Sequence, residues 1–164
     1  MDIITWTAAA VMSMYFNMTS QPTNGNFVYN AEMQDGKVSA ILSYKTSESG
    51  NSLKANTKHL YEYDEQDRVV SDQMLKWNSE KGEWVPVKCI AYEYSGSTIA
   101  MNYMLWNSEE GHYMAPTESV VYTMMGQLIA SVEKYKKESH DGEMQLSDRY
   151  LMMGGGIYNL LAGK

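Results

Sequence analysis

Trp77-Asn78-Ser79-Glu80-Lys81-Gly82-Glu83-Trp84 returns further along the chain as Trp106-Asn107-Ser108-Glu109-Glu110-Gly111-His112-Tyr113. In both copies a Ser-Glu-x-Gly turn is flanked by a pair of aromatics. The same turn stands earlier as Ser47-Glu48-Ser49-Gly50 and, more loosely, later as Ser139-His140-Asp141-Gly142. Successive turns fall about 30 residues apart, the spacing of a supersecondary repeat. A second turn family lies midway between them: Asp35-Gly36, Asp67-Arg68, Ser95-Gly96 and Met125-Gly126. Glycine supplies the positive φ of tight hairpin turns, and Asp, Asn and Ser stabilise turns through side chain to backbone hydrogen bonds. Two alternating turns per period mean two strands per repeat, and about four such repeats fill the chain.

The segments between turns read as strands. Leu60-Tyr61-Glu62-Tyr63-Asp64 enters one turn and Arg68-Val69-Val70 leaves it, while Ala91-Tyr92-Glu93-Tyr94-Ser95 enters the next and Thr98-Ile99 leaves it. Ile99, Met101, Tyr103 and Leu105 alternate onto one face, as do Trp84, Ile90, Tyr92 and Tyr94 on their own segment. Ala100, Met104 and Trp106 fall on the opposite face, so both sides of the sheet should be partly covered. Pro86 and Pro116 should mark strand starts or places where the ladder needs no N–H. The expectation is an all-β, antiparallel meander of about nine strands over residues 27–153, because short connections make sequential strands neighbours. An open twisted sheet is preferred to a closed up-and-down barrel, since the Lys-bearing segment Val132 to Glu138 tolerates solvent; closure would instead enclose a cavity.

Residues 1–26 form a leader and residues 154–164 a Gly-rich tail, in which Gly154-Gly155-Gly156 ends regular structure. The leader is apolar from Ile3 to Met18, the length of a secretory hydrophobic region with its flanks, although Asp2 stands where a basic residue is expected and no clean cleavage site precedes Gln21. It is too short for a convincing membrane span. The alternative is a retained helix, because Ile4, Ala8, Val11, Tyr15 and Met18 recur at helical spacing.

Composition bounds the function. The 164 residues fit one domain, and 44% hydrophobic with 20% charged residues is globular composition. A net charge of -7 and a pI near 4.9 argue against a nucleic-acid partner, which calls for clustered Lys and Arg. The single cysteine, Cys89, excludes an intrachain disulfide framework and a Cys-based zinc site, and reads as a small buried hydrophobe. With 13 Tyr, 4 Trp and 14 Met but only 2 Phe, the apolar surface is carried by amphipathic aromatics and thioethers.

The segments Tyr61 to Val69 and Trp77 to Trp84 resemble a family of small exported proteins of gut Bacteroidetes, classed as a domain of unknown function (number 3836). That resemblance would span the repeat region and implies a β-rich protein exported to the periplasm or cell surface. It brings no catalytic residues. The Tyr63-Asp64-Glu65-Gln66-Asp67-Arg68 run is also distantly similar to the tyrosine-aspartate repeats of bacterial surface proteins, with Asp67 where their glycine stands.

No phosphate loop, dinucleotide fingerprint, nucleophile elbow or His-Glu-x-x-His is present, and no cofactor is expected. Trp77, Trp84, Trp106 and Tyr113 all flank one turn family and should gather at one end of the sheet. Exposed, they would stack on a glycan or a peptide; buried, they are cross-strand packing. His112 and His140, with Glu110 and Asp141, form an outside candidate for a divalent metal. His59 has no evident carboxylate or nucleophile partner, and Glu62 with Asp64 reads as a solvated face before a glycosidase pair. The function expected is a non-enzymatic, exported interaction or structural module that binds glycan or protein, the alternative being a small-molecule-binding barrel lined by aromatics and Met.

Overall fold

The computed structural model describes residues 6–20, 26–47, 51–126, 128–139, 142–153 and 156–159. Among the described residues one helix, α1 (Ala8–Ser20), precedes eleven strands: β1 (Phe27–Gln34), β2 (Lys37–Thr46), β3 (Leu53–Tyr63), β4 (Val69–Asn78), β5 (Glu83–Ser95), β6 (Thr98–Asn107), β7 (His112–Tyr113), β8 (Glu118–Met125), β9 (Leu128–Lys137), β10 (Met144–Met153) and β11 (Gly156–Asn159). Leaving aside the two-residue β7 and the four-residue β11, nine long strands remain, as the turn spacing predicts. The hydrogen-bonded order is β1-β2-β3-β4-β5-β6-β8-β9-β10-β11, with β7 paired to β6. The order is a meander with two ends, not a cycle, so the closed-barrel alternative does not hold.

The chain divides into two compact units, Ile3–Lys88 and Cys89–Lys164. In the first, β1 and β2 are joined by a two-residue turn in which Asp35 and Gly36 both take positive φ, at 51° and 75°, the geometry whose twist matches that of the strands. The β3 to β4 turn uses Asp67 at φ 60°, with Asp64 Oδ1 accepting the Gln66 and Arg68 N–H groups. Asp67 thus adopts the left-handed conformation that glycine takes most readily.

Strand β2 is buried on both faces: Ala40 and Leu42 on one, Ile41 and Ser43 on the other, with Val38 brought to the Ile41 face by the register shift beside Ser39. Helix α1 is one cover. Its N-terminus is capped by Thr7, whose Oγ1 accepts the Ala10 N–H at 3.3 Å. The chain just ahead of it is tied to the β3–β4 hairpin: Trp6 O accepts the Val69 N–H at 2.7 Å, and Ala8 N–H donates to Asp67 O at 2.9 Å. Val11 is fully buried and Ala8, Tyr15 and Met18 are half-buried, so the helical spacing in the leader is realised for every member except Ile4, which lies outside the described residues. Among the described residues no helix is long and apolar enough to cross a membrane.

In the second unit the pairings Ile99↔Tyr122↔Val132↔Tyr150 and Ala100↔Val121↔Glu133↔Arg149 run across β6, β8, β9 and β10. Pro116 falls in the gap between β7 and β8, where the missing N–H breaks no ladder, and Pro86 lies within β5. Cys89 is buried. The C-terminal segment requires a correction. Regular structure does not stop at the glycines, because Gly156–Asn159 pairs with β10, Tyr150 opposite Asn159 and Leu151 opposite Tyr158. Ile157 and Tyr158 are strong strand formers, and the free side of β10 offers them a ladder.

Candidate functional site

The two copies of the aromatic-flanked turn fold alike, and asparagine holds both together. Gly82 N–H donates to Asn78 O at 2.8 Å, and Gly111 N–H donates to Asn107 O at 2.9 Å. The Asn78 side-chain oxygen accepts the N–H groups of Glu80 and Lys81 at 3.0 and 3.1 Å; that of Asn107 accepts those of Glu109 and Glu110 at 3.0 and 3.3 Å. Gly82 and Gly111 close the loops at φ 67° and 70°. The aromatics on either side are thereby brought together across the hairpin. Trp77 meets Trp84 edge-on with ring centroids 5.2 Å apart, and Trp106 meets Tyr113 at 4.9 Å, the second pair in direct register between β6 and β7. Such edge-to-face pairs contribute about 0.5–1.5 kcal/mol beyond the area they bury.

Exposure separates the four. Trp84, Trp106 and Tyr113 are half-buried, and burial, with the nearby Cys89, pushes the Tyr113 phenol up. Trp77 is 36% exposed. Beside it opens a shallow depression of about 410 Å³ lined by Lys76, Trp77, Asn78, Ser79, Glu80, Val85 and Val87. The two pairs belong to different compact units, each built on its own hairpin.

The other candidates resolve differently. His112 Nε2 lies 3.2 Å from Glu110 Oε2, both exposed, while His140 and Asp141 lie outside the described residues. Among the described residues, no three His, Cys, Asp or Glu side chains gather as metal ligands. Glu62 and Asp64 do not act as a pair: Gln73 Nε2 donates to Glu62 at 3.4 Å, whereas Asp64 caps its turn and is bound by Arg68 Nε and NH2 at 2.7 Å each. Burial pushes the Asp64 carboxyl up, but the Arg68 side-chain bond, the Arg68 and Gln66 N–H groups and the Arg68 charge outweigh it and hold the group below its ordinary value.

His59 needs the clearest correction, because it does have a carboxylate partner. Its Nδ1 lies 2.8 Å from Asp72 Oδ1, on β4, and its ring stacks on Tyr61 at 6.3 Å. It also lines a pocket of about 240 Å³ together with Met18 of α1, Phe27, Tyr29, Ile41, Ser43, Asn56 and Thr57. A register shift at Ser43/Tyr44 sets both Asn56 and Thr57 against Ser43. The Ser43 hydroxyl is therefore 2.6 Å from Thr57 Oγ1 and 3.0 Å from Asn56 Nδ2.

Relatives are found among families and solved structures. The model of a family of unknown function, DUF3836, matches residues 1–141. The chain belongs to the DUF3836 family. A solved DUF3836 protein from Bacteroides vulgatus ATCC 8482 is 34% identical, with a TM-score of 0.55 over 58% of this chain and 97% of that one. A protein of unknown function from Bacteroides fragilis NCTC 9343 shares the fold at 19% identity and a TM-score of 0.71, covering 80% of this chain and 96% of that one. A second DUF3836 structure, from Parabacteroides distasonis ATCC 8503, matches at 20% identity and a TM-score of 0.53 over 61% and 92% of the two chains. No curated protein matches the chain. The fold of this DUF3836 member is thus shared with solved relatives.

Proposed function

We propose that this DUF3836 protein is a non-enzymatic, exported binding module that takes a glycan against Trp77. One observation carries the reading: Trp77 is held by Trp84 at 5.2 Å yet stays 36% exposed on the rim of an open depression. An indole fixed by a neighbouring ring has little side-chain entropy left to lose on binding, and its apolar face suits the C–H face of a sugar ring. Asn78, Ser79, Glu80 and Lys76 supply donors and acceptors of both charge signs around it, as a hydroxylated ligand requires. A protein ligand is the second reading and would use the same ring as an anchor. Export rests on the resemblance to exported proteins.

A glycan array on the full chain, followed by titration of the hits against Trp77→Ala, tests the reading. The variant should lose binding about tenfold or more while its melting midpoint shifts by only a few degrees. An array without hits, or hits that bind Trp77→Ala as well as the wild type, would remove the proposal. Fractionation of cells of a Bacteroides host expressing the chain tests location, and recovery in the cytosol alone would contradict export.

A further inference from the structure

We infer that the pocket between α1 and the β1–β3 face is a second binding site, for one neutral, hydroxyl-bearing ring about the size of a monosaccharide. This site is independent of the reading of Trp77, because it rests on different residues: Met18, Phe27, Tyr29, Asn56, His59 and, behind it, Asp72.

The size comes first. A volume of about 240 Å³ holds the equivalent of several waters, each with a share of about 30 Å³ in the liquid. It falls just below the roughly 300 Å³ at which sites for drug-sized ligands begin. One ring fits, and an extended chain does not.

The chemistry follows from which hydrogen-bonding groups are already committed. His59 Nδ1 lies 2.8 Å from Asp72 Oδ1, and an uncharged ring that donates Nδ1–H to this carboxylate presents Nε2 as an acceptor. Asn56 spends its Nδ2 on Ser43 at 3.0 Å, leaving its Oδ1, a second acceptor. The Ser43 hydroxyl is occupied by Thr57, Asn56 and the Thr57 N–H. The pocket therefore offers the acceptors on His59 and Asn56 together with the hydroxyls of Tyr29 and Thr57, the latter free to donate because the Ser43 hydroxyl, already accepting two N–H groups, donates to it. Acceptors beside hydroxyls call for a ligand whose own groups both donate and accept, as sugar O–H groups do. A carboxylate or phosphate would bring no donor for the acceptors and would stand near the Asp72 carboxylate behind His59. Phe27, Ile41 and Met18 provide an apolar wall for the C–H face of such a ring. Met18 comes from the last turn and a half of α1, so the helix end forms one side of the site.

The test is a titration of the full chain with glucose, galactose, xylose and N-acetylglucosamine up to about 10 mM, where a site with a millimolar Kd is mostly filled. The readout is the NMR signal of the His59 ring nitrogens and the Asn56 side-chain amide. At least one neutral sugar should shift both saturably, and glucuronate should shift them less. Met18→Trp, which fills the pocket without touching its polar groups, should abolish the shifts, and Asn56→Ala should weaken binding about tenfold. Trp77→Ala should leave them unchanged, which separates this site from the hairpin site. Silence from every neutral sugar overturns the inference, as does a preference for glucuronate or binding that survives Met18→Trp.

Discussion

Asn78 accepts the N–H of Gly82 at 2.8 Å on its backbone oxygen and caps the Glu80 and Lys81 N–H groups with its side chain. One residue thus organises the whole reversal that sets Trp77 against Trp84. Asn78→Ala should cost about 1 kcal/mol, the usual value of a capping side chain, and Asn107→Ala a similar amount. Gly82→Ala should cost about as much for a different reason. A Cβ there would touch nothing within 4 Å, so the loss reports the positive φ alone. Urea midpoints measure all three, and an unchanged midpoint for Gly82→Ala would contradict the turn geometry.

Asp67 holds φ 60° without being glycine and forms an exposed ion pair with Lys37. Comparing Asp67→Gly with Asp67→Ala removes the ion pair from both and leaves only the backbone difference. The glycine variant should be the more stable by about 1 kcal/mol. Equal stabilities in thermal melts would show that the turn relaxes.

Tyr63 donates its hydroxyl to Val38 O at 2.7 Å, and burial, then the charge of Asp72, push its phenol up to about 12. A folded value above the unfolded one of about 10 means that the contribution to stability is complete below pH 10. It is lost as pH rises from about 10 towards 12. Tyr63→Phe should lower stability at neutral pH by about 1 kcal/mol and flatten this alkaline loss. Denaturant midpoints taken across the alkaline range for both proteins provide the comparison.

Asp64 behaves in the opposite sense. Its carboxyl is held below the ordinary value despite the opposing effect of burial, so its contribution is present above about pH 4 and is lost as pH falls through the depressed folded value. Asp64→Asn keeps an oxygen for the Gln66 and Arg68 N–H groups but loses the charge that binds the Arg68 side chain. It should be less stable at pH 7 by about 1–2 kcal/mol and should lose less than the wild type between pH 5 and about 2. Parallel acid titrations would expose the error if both proteins lost stability alike.

The nine long strands were legible because their punctuation is local. A hairpin turn is decided by four or five residues, and glycine or aspartate at a positive φ leaves a mark in the sequence itself, as at Asp35-Gly36 and Asp67. The aromatic pairs were legible as neighbours for the same reason, since a closed loop fixes which residues face each other. Trp77's greater exposure was not, because exposure depends on what the rest of the chain brings to each ring. Strand β11 was missed because a run of glycines hides the Ile157-Tyr158 pair that follows.

The His59 site shows where local reading ends. Counting outward from Tyr63 opposite Val69 would set His59 opposite Gln73 and place Asp72 on the other face of the sheet. The register shift at Glu62/Tyr63 moves the count by one, so Tyr61 faces Asp72 and the carboxylate lands on the same side as His59. A similar shift at Ser43/Tyr44 gathers Asn56 and Thr57 around one hydroxyl. The amino-acid order alone determined the turns, the alternation and hence the antiparallel meander, because each depends on the conformational preferences of adjacent residues. Only the tertiary structure decided which polar groups share a face, and that α1 closes over them, because a bulge and a docked helix are settled by packing between segments far apart in the chain.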